Sequence, residues 1–512
     1  MVDARITIDR DFTAGPLSRR LFGSFIEHMG RSIYTGVYEP GHHTSDQHGF
    51  RGDVLDLTRE LGVSVIRYPG GNFVSGYNWE DGVGPRHSRP CRLDIAWRSV
   101  ETNEFGLHEF VRWADLAETE VMEAVNLGTR GADEARALVE YANHPKGTYL
   151  SDLRRQHGAE EPFGIKLWAL GNEMDGQWQI GHKEAADYGR LAFQSARAMR
   201  AVDPNIELIV CGSSKASMPG FGEWERTVLS HTLDEVDYVS LHAYYSQGDG
   251  AIGCFLASSV HFDFSIEAVA ASADSVSAKT MLRKKVALAI DEWNVTHGHS
   301  ADIEEKRRAT LTKSWPQHPA IGEFYYNVTE AVVVGTLLNS LLRHGDRVKI
   351  ANQAQLVNVL GLIGTSPGGN AWRQSSFFPF AEMARCASGL ILRLASTSDQ
   401  YESRLYGDVD FVDASGTWDE DRGQVALFIA NRSLHDRARI EVTTRGLHPE
   451  KTLIARVLTV PPAMNRNNVN NATSQPIQMR PLDSVLIDEG RVFVDLPSLC
   501  WATVTFTVSV IR

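Results

Sequence analysis

Eight short apolar runs, most of them separated by stretches of helical periodicity, recur between residues 21 and 351, and this alternation constrains the fold more than any other feature. They are Leu21–Phe25, Val63–Arg67, Val121–Asn126, Ile165–Leu170, Ile206–Cys211, Tyr238–Leu241, Val286–Ile290 and Val348–Ala351. Runs this short and this apolar are the pattern of strands buried on both faces, as in a parallel sheet. Helical patterns fall near Asp53–Leu61, Leu107–Ala117, 133–142, 182–202 and Thr329–Leu342. Eight such units fit a (β/α)8 TIM barrel better than an open doubly wound sheet. No Gly-x-Gly-x-x-Gly follows the first run, which weakens a dinucleotide-binding reading further.

Beyond about residue 385 helical periodicity fades. Val425–Ala430, Ala438–Thr443, Leu453–Thr459, Val492–Leu496 and Ala502–Thr507 read as strands separated by turn residues, the pattern of an all-β sandwich (jelly-roll-like) domain. Residues 4–9 alternate apolar and polar, and are expected to return to that sandwich. A chain of 512 residues is too long for one compact core. The expected division is a catalytic barrel over 18–385 and a sandwich built from 1–17 plus 386–512. The stretch 73–105, with Trp79, Trp97 and Asn103, is too long and aromatic to be a simple connector. The Asn-rich stretch 462–475 is expected to be a mobile loop, and Glu304–Arg308 a solvated helix face.

The charge balance excludes one class of function. Lys and Arg total 51 against 64 Asp and Glu, a net charge of −13, with no basic patch to serve as a nucleic-acid footprint. No apolar run reaches membrane-spanning length, and the first residues lack the apolar core of a secretory signal. The five cysteines are odd in number and scattered, so they are expected to be reduced thiols in a cytoplasmic protein.

In a barrel the C-terminal strand ends share one face, so residues distant in sequence converge there. The fourth run ends at Gly171 and then presents Asn172 and Glu173; the seventh ends in Asp291 and Glu292. Two carboxylates across a pocket suit glycosidic bond cleavage, one as acid and one as nucleophile. They also suit a divalent cation, but no His-x-His or similar ligand spacing accompanies them, so no metal and no cofactor is expected. The other strand ends add Glu27, Arg67, Asn72, Asn126, His242, Tyr244 and Gln355, a set of directional partners for sugar hydroxyls, with Trp97 to cover an apolar ring face. Each has a plain structural alternative: Arg67 as an internal ion-pair partner, Trp97 as core, His242 and Tyr244 as satisfied loop groups. His42, His43 and His48 share one loop and read as solvated. Gly70-Gly71 is no phosphate cradle, because no Gly-Lys-Ser/Thr follows.

At these residues the sequence resembles glycoside hydrolase family 51, the intracellular α-L-arabinofuranosidases, along almost its whole length. The motifs that carry the resemblance are Arg67-Tyr-Pro-Gly-Gly-Asn-Phe73, Tyr77-Asn-Trp-Glu-Asp-Gly82, Leu93-Asp-Ile-Ala-Trp97, Glu101-Thr-Asn-Glu-Phe105, Leu170-Gly-Asn-Glu173, Asp291-Glu-Trp-Asn294 and Ala354-Gln-Leu-Val-Asn358. The resemblance implies a barrel plus sandwich and a retaining mechanism. It makes Glu173 the acid/base and Glu292 the nucleophile, with Glu27, Asn72, Asn172, Tyr244 and Gln355 binding the arabinosyl group. It also implies a homo-oligomer, a hexamer, acting on arabinose-containing oligosaccharides. One departure falls at Thr296 and His297, where the family often carries an aromatic pair on the leaving-group side. Two other readings remain at this point: another barrel glycosidase, such as a β-xylosidase or endoglucanase, and an inactive carbohydrate-binding barrel.

Overall fold

The computed structural model describes residues 1–248, 251–281, 283–296 and 315–511. His297 and the charged run 304–308 lie outside the described residues.

The eight apolar runs form a closed barrel of parallel strands: Gly23–Phe25, Val65–Tyr68, Glu120–Ala124, Leu167–Leu170, Glu207–Val210, Tyr238–Ser246, Ala287–Thr296 and Val348–Ala354. Each strand pairs with its successor in sequence, and the eighth closes onto the first through Asn352, Gln353 and Ala354 beside Gly23, Ser24 and Phe25. The barrel interior is filled by modest apolar side chains, among them Val65, Met122, Ala124, Leu167, Ala169, Ile209 and Ile350. A larger core lies between strands and helices.

The helices that return the chain include Gly52–Leu61, Leu107–Ala117, Ala132–Asn143, Ala185–Val202, Glu223–Thr232, Ser258–Lys279, Val328–Arg343 and Phe377–Cys386. Val328–Arg343 is buried on every side up to Leu342, because it lies between the barrel and the sandwich. Asn327 caps it by accepting from the Thr329 and Glu330 N–H groups. Its polar groups are used at the junction: Asn339 Nδ2 donates to Asp413 Oδ1 at 2.6 Å, and Arg343 pairs with both Asp263 and Asp413. Gly335 is needed there, since a Cβ would lie 2.3 Å from Cδ1 of Trp501 in the sandwich.

The C-terminal part is two sheets face to face. One runs Ala395–Ser398, Val2–Asp9, Ala438–Arg445, Arg491–Leu496, Val485–Asp488; the other has seven strands, including Thr13–Pro16, Leu390–Leu392, Gln424–Asn431 and Cys500–Val510. The second core cluster lies between them, from Ile6, Ile440 and Val494 on one side to Leu427, Val504 and Phe506 on the other. Val2–Asp9 joins as its alternation suggests, parallel to Ala438–Arg445, with alternate residues buried.

The expected boundaries differ in one informative way. The sixth and seventh strands continue well past their apolar runs, through His242 and Tyr244 and through Glu292 and Asn294. Backbone pairing persists there (His242 beside Glu292, Tyr244 beside Asn294), and a strand ends where its ladder ends, not where its apolar side chains do. The stretch 73–105 holds short 3-10 turns and the hairpin Arg92–Asp94 with Ser99–Glu101.

Candidate active site

The fourth strand delivers its polar end through a turn that only certain residues tolerate. Gly171 stands at φ 92° and Glu173 at φ 45°, both left-handed, so the chain reverses within three residues and brings Asn172 and Glu173 to the barrel mouth. Tyr188, on the following helix, pins this end: its hydroxyl donates to Leu170 O at 2.6 Å and accepts from Cys211 N–H at 2.8 Å.

Across the mouth stands Glu292. Arg67 Nη1 donates to Glu292 Oε1 at 2.6 Å, and the Tyr244 hydroxyl to Oε2 at 2.8 Å. Arg67 also donates through Nη2 to Asn172 Oδ1 at 2.7 Å, and its Nε lies 3.5 Å from Asp291 Oδ2. Burial works against the guanidinium, but Asp291 and Glu292 outweigh it and raise its pKa. Arg67 therefore reaches the candidate nucleophile and the Asn172 amide; it does not end the strand as a free sugar ligand.

His242 also differs from its expected place as a substrate-facing group. Nδ1 lies 2.9 Å from Glu173 Oε1 and Nε2 3.1 Å from Asp291 Oδ1, so the ring bridges two carboxylates. Burial lowers its pKa, but Glu292 and Asp291 more than reverse this and hold it well above the ordinary imidazole value. Asp291, although buried, is held below the usual carboxylate range by Arg67 and His242.

Glu27 lies on the other side of the pocket. Oε1 accepts from Phe73 N–H at 2.9 Å and from Trp97 Nε1 at 2.8 Å, and Oε2 accepts from Gln355 Nε2 at 3.2 Å. Burial, opposed by the Phe73 and Trp97 donors and reinforced by Glu292, pushes its pKa up to about 8. Gly70 and Gly71 make room for it: a Cβ on Gly71 would lie 2.7 Å from Glu27 Oε2. Trp97 thus spends its N–H on Glu27. Asn72 Oδ1 accepts from Asn172 Nδ2 at 3.3 Å. Behind Glu27, His28 bridges Glu101 at 2.8 Å and Tyr68 at 2.9 Å in a buried network.

One expected residue is elsewhere. Asn126 donates to Tyr77 O and Thr129 Oγ1 and accepts from Gly128 and Thr129 N–H, so it builds its own loop. His42 does likewise and is buried, not solvated as its loop suggested: it contacts Thr44 Oγ1 at 2.9 Å, and its ring lies tilted against that of His43. Reading strand ends alone also missed Asp291 as a partner of both cations, and Trp178, whose Nε1 donates to Glu173 Oε2 at 2.6 Å. Its sequence signal is an aromatic residue five places after the carboxylate.

Ligand atoms of Glu173, His242 and Glu292 lie within 4.8 Å of one another, the one such group among the described residues that could hold a metal ion. All three are already engaged by Trp178, Asp291, Arg67 and Tyr244.

Comparison with known proteins supplies the family. Residues 57–252 match the Alpha-L-arabinofuranosidase 1 domain and residues 291–499 the Alpha-L-arabinofuranosidase C-terminal domain. A solved family 51 α-L-arabinofuranosidase from Bifidobacterium longum superposes with a TM-score of 0.93 at 42% identity, covering 99% of this chain and 100% of that one. The chain belongs to glycoside hydrolase family 51. Among the relatives it resembles is an intracellular exo-α-(1→5)-L-arabinofuranosidase of Streptomyces lividans, 49% identical over 98% of this chain and 75% of that protein. An intracellular exo-α-(1→5)-L-arabinofuranosidase of Bacillus subtilis is 50% identical over 87% of this chain and 88% of its own length. An exo-α-(1→6)-L-arabinofuranosidase of Bifidobacterium longum is 46% identical over 98% and 97%.

Proposed function

We propose that this family 51 member is a retaining, exo-acting α-L-arabinofuranosidase. It releases terminal non-reducing arabinofuranosyl groups from arabino-oligosaccharides, arabinan or arabinoxylan fragments. The observation that carries the mechanism is the narrow gap between Glu173 and Glu292, with an oxygen of each inside a 4.8 Å group. Retaining glycosidases hold their carboxyl groups about 5–5.5 Å apart, whereas inverting ones need roughly 6.5–9.5 Å to seat a water.

In this reading Glu292 attacks the anomeric carbon while Glu173 protonates the departing oxygen, which takes the bond's electron pair. Glu173 then removes a proton from water, and that water displaces Glu292 from the sugar. Arg67 and Tyr244 orient the nucleophile from both of its oxygens. Asn172, fixed by Arg67, presents its amide to the sugar's 2-hydroxyl, and Glu27, Asn72, Tyr244 and Gln355 enclose the arabinosyl group. Arg67, Trp97 and His242 act on the sugar through these neighbours.

The same reading places the enzyme in the cytoplasm, in arabinan breakdown, and as a hexamer; the Streptomyces and Bacillus relatives are named intracellular. It divides the chain into a barrel over 18–385 and a sandwich from 1–17 and 386–512; the pairing of Thr13–Pro16 with Leu390–Leu392 supports that division. The test is hydrolysis of 4-nitrophenyl α-L-arabinofuranoside beside the β-xyloside and β-glucoside, with the anomer of the first-formed arabinose followed by NMR. Release of the α-anomer from the arabinofuranoside alone is expected. The β-anomer as first product, or preference for another glycoside, overturns the reading.

A further inference from the structure

The Trp178 indole touches the carboxyl group of Glu173, and nothing in the double displacement above accounts for it. Its Nε1–H donates to Glu173 Oε2 at 2.6 Å, while His242 Nδ1 lies 2.9 Å from Oε1. The two oxygens of the candidate acid/base are therefore not equivalent. Indole N–H only donates, so an oxygen that accepts from it has no use for a proton of its own in that direction. The His242 imidazolium also only donates, from a ring held on its other side by Asp291 Oδ1 at 3.1 Å, so each oxygen of Glu173 has one fixed donor.

The loop is shaped to bring this ring back. Gly176 N–H donates to Glu173 O at 2.8 Å and Gln179 N–H to Gly176 O at 2.9 Å, two tight turns in succession. The indole lies directly over Gly176: a Cβ there would sit 2.6 Å from Cε2 and 3.0 Å from Nε1 of Trp178. Lys215 stands over the ring with its Nζ 5.3 Å from the ring centroid. Yet Trp178 is 48% exposed, so packing into a core does not explain a ring held this closely.

We propose that Trp178 is a positioning residue for the acid/base: its N–H fixes the carboxyl group by Oε2 while His242 holds Oε1, so that the proton the carboxyl group carries is aimed at the leaving group. The inference rests on Glu173 being the acid/base. In the step concerned the proton leaves the Glu173 carboxyl group for the glycosidic oxygen, which takes the electron pair of the breaking C–O bond, and Glu173 is left as the carboxylate with the Trp178 and His242 donors on its two oxygens.

The test uses leaving groups of different need. Methyl α-L-arabinofuranoside requires full protonation of a poor leaving group and is too small to stack on the ring; the 2,4-dinitrophenyl glycoside leaves unaided. Three enzymes are compared with wild type: Trp178→Phe, Gly176→Val, and a protein with β-(3-benzothienyl)alanine at 178, which keeps the ring shape and replaces the N–H by sulfur. In all three, kcat/KM on the methyl glycoside should fall about 10- to 100-fold, a part of the 10²–10⁴ a general acid supplies, against less than about threefold on the dinitrophenyl glycoside. A purely structural role would lower both alike, and that result overturns the proposal, as does a benzothienyl enzyme that behaves like wild type. Glu173→Ala separates the two readings. If it shows no split between the substrates, the acid/base assignment itself falls; if it shows the split and the Trp178 enzymes do not, only the present proposal falls.

Discussion

Arg67 and Glu292 meet at 2.6 Å with almost no water around them: the side chains are 1% and 8% exposed. The guanidinium also faces Asp291 at 3.5 Å, so one buried cation stands against two carboxylates. Removing Arg67 leaves two buried carboxylates with His242 as the cation left to face them, and an uncompensated buried charge costs more than the pair itself contributes. Arg67→Met should destabilise the protein by about 3–5 kcal/mol and abolish measurable turnover. Thermal unfolding read beside kcat/KM checks this, and a loss of stability below about 1 kcal/mol would show that Arg67 does not hold the carboxylates together.

The two glutamates are separable by azide. Glu173→Ala should still form the glycosyl-enzyme from an aryl arabinoside whose phenolate leaves unaided, and then stall for want of a base. Azide needs no base, so it should restore turnover and give a glycosyl azide with the substrate's configuration. Glu292→Ala should be inactive on both natural and aryl substrates, and any azide product should be inverted. The two outcomes exchanged between the variants would reverse the assignment.

Asn172 accepts from Arg67 Nη2 at 2.7 Å and donates to Asn72 at 3.3 Å, so its amide plane is set before substrate arrives. A hydrogen bond to the sugar's 2-hydroxyl strengthens as the oxocarbenium-like transition state forms. Asn172→Ala should lower kcat and kcat/KM together, by roughly 10²-fold or more. A rise in KM alone is the result that would remove Asn172 from this role.

Glu27 gives stability a pH dependence. Burial raises its folded pKa to about 8 from a reference of 4.5. Between those values the folded protein holds a proton that the unfolded chain has released, so stability falls as pH rises through that window and levels off above it. Each unit of the difference is worth about 1.4 kcal/mol. Glu27→Gln, which cannot ionise, should flatten the decline in unfolding midpoint between pH 5 and pH 8 (pH values chosen to bracket roughly that window). An unchanged slope would mean that Glu27 is not its source.

All eight barrel strands, and the return of the first strand to the sandwich, were legible because each rests on local pattern: short buried runs, or alternation along Val2–Asp9. The carboxylates were legible for the same reason, since in strands four and seven a short, mostly apolar run is followed closely by an acid. What Arg67, His242 and Trp97 touch was not. Their partners lie 225, 69 and 70 residues away, and whether a polar side chain faces substrate or another residue depends on rotamers that sequence does not state. Asn126 failed as a site residue because an Asn after a strand serves equally well to close its own turn. Gly70 and Gly71 were read only against phosphate binding, although their use is to clear space for Glu27.

Val2–Asp9 has its neighbours at Ala395–Ser398 and Ala438–Arg445. A ribosome therefore delivers this strand hundreds of residues before its partners. The barrel's last helix, Phe377–Cys386, emerges while the strand still has both edges open, and an open edge is a template for pairing with any other extended chain. Truncating the protein after Cys386 would make that exposure permanent, with Trp501 gone from over Gly335 as well. The sandwich is thus a clasp that fastens Val2–Asp9 to chain made some four hundred residues later.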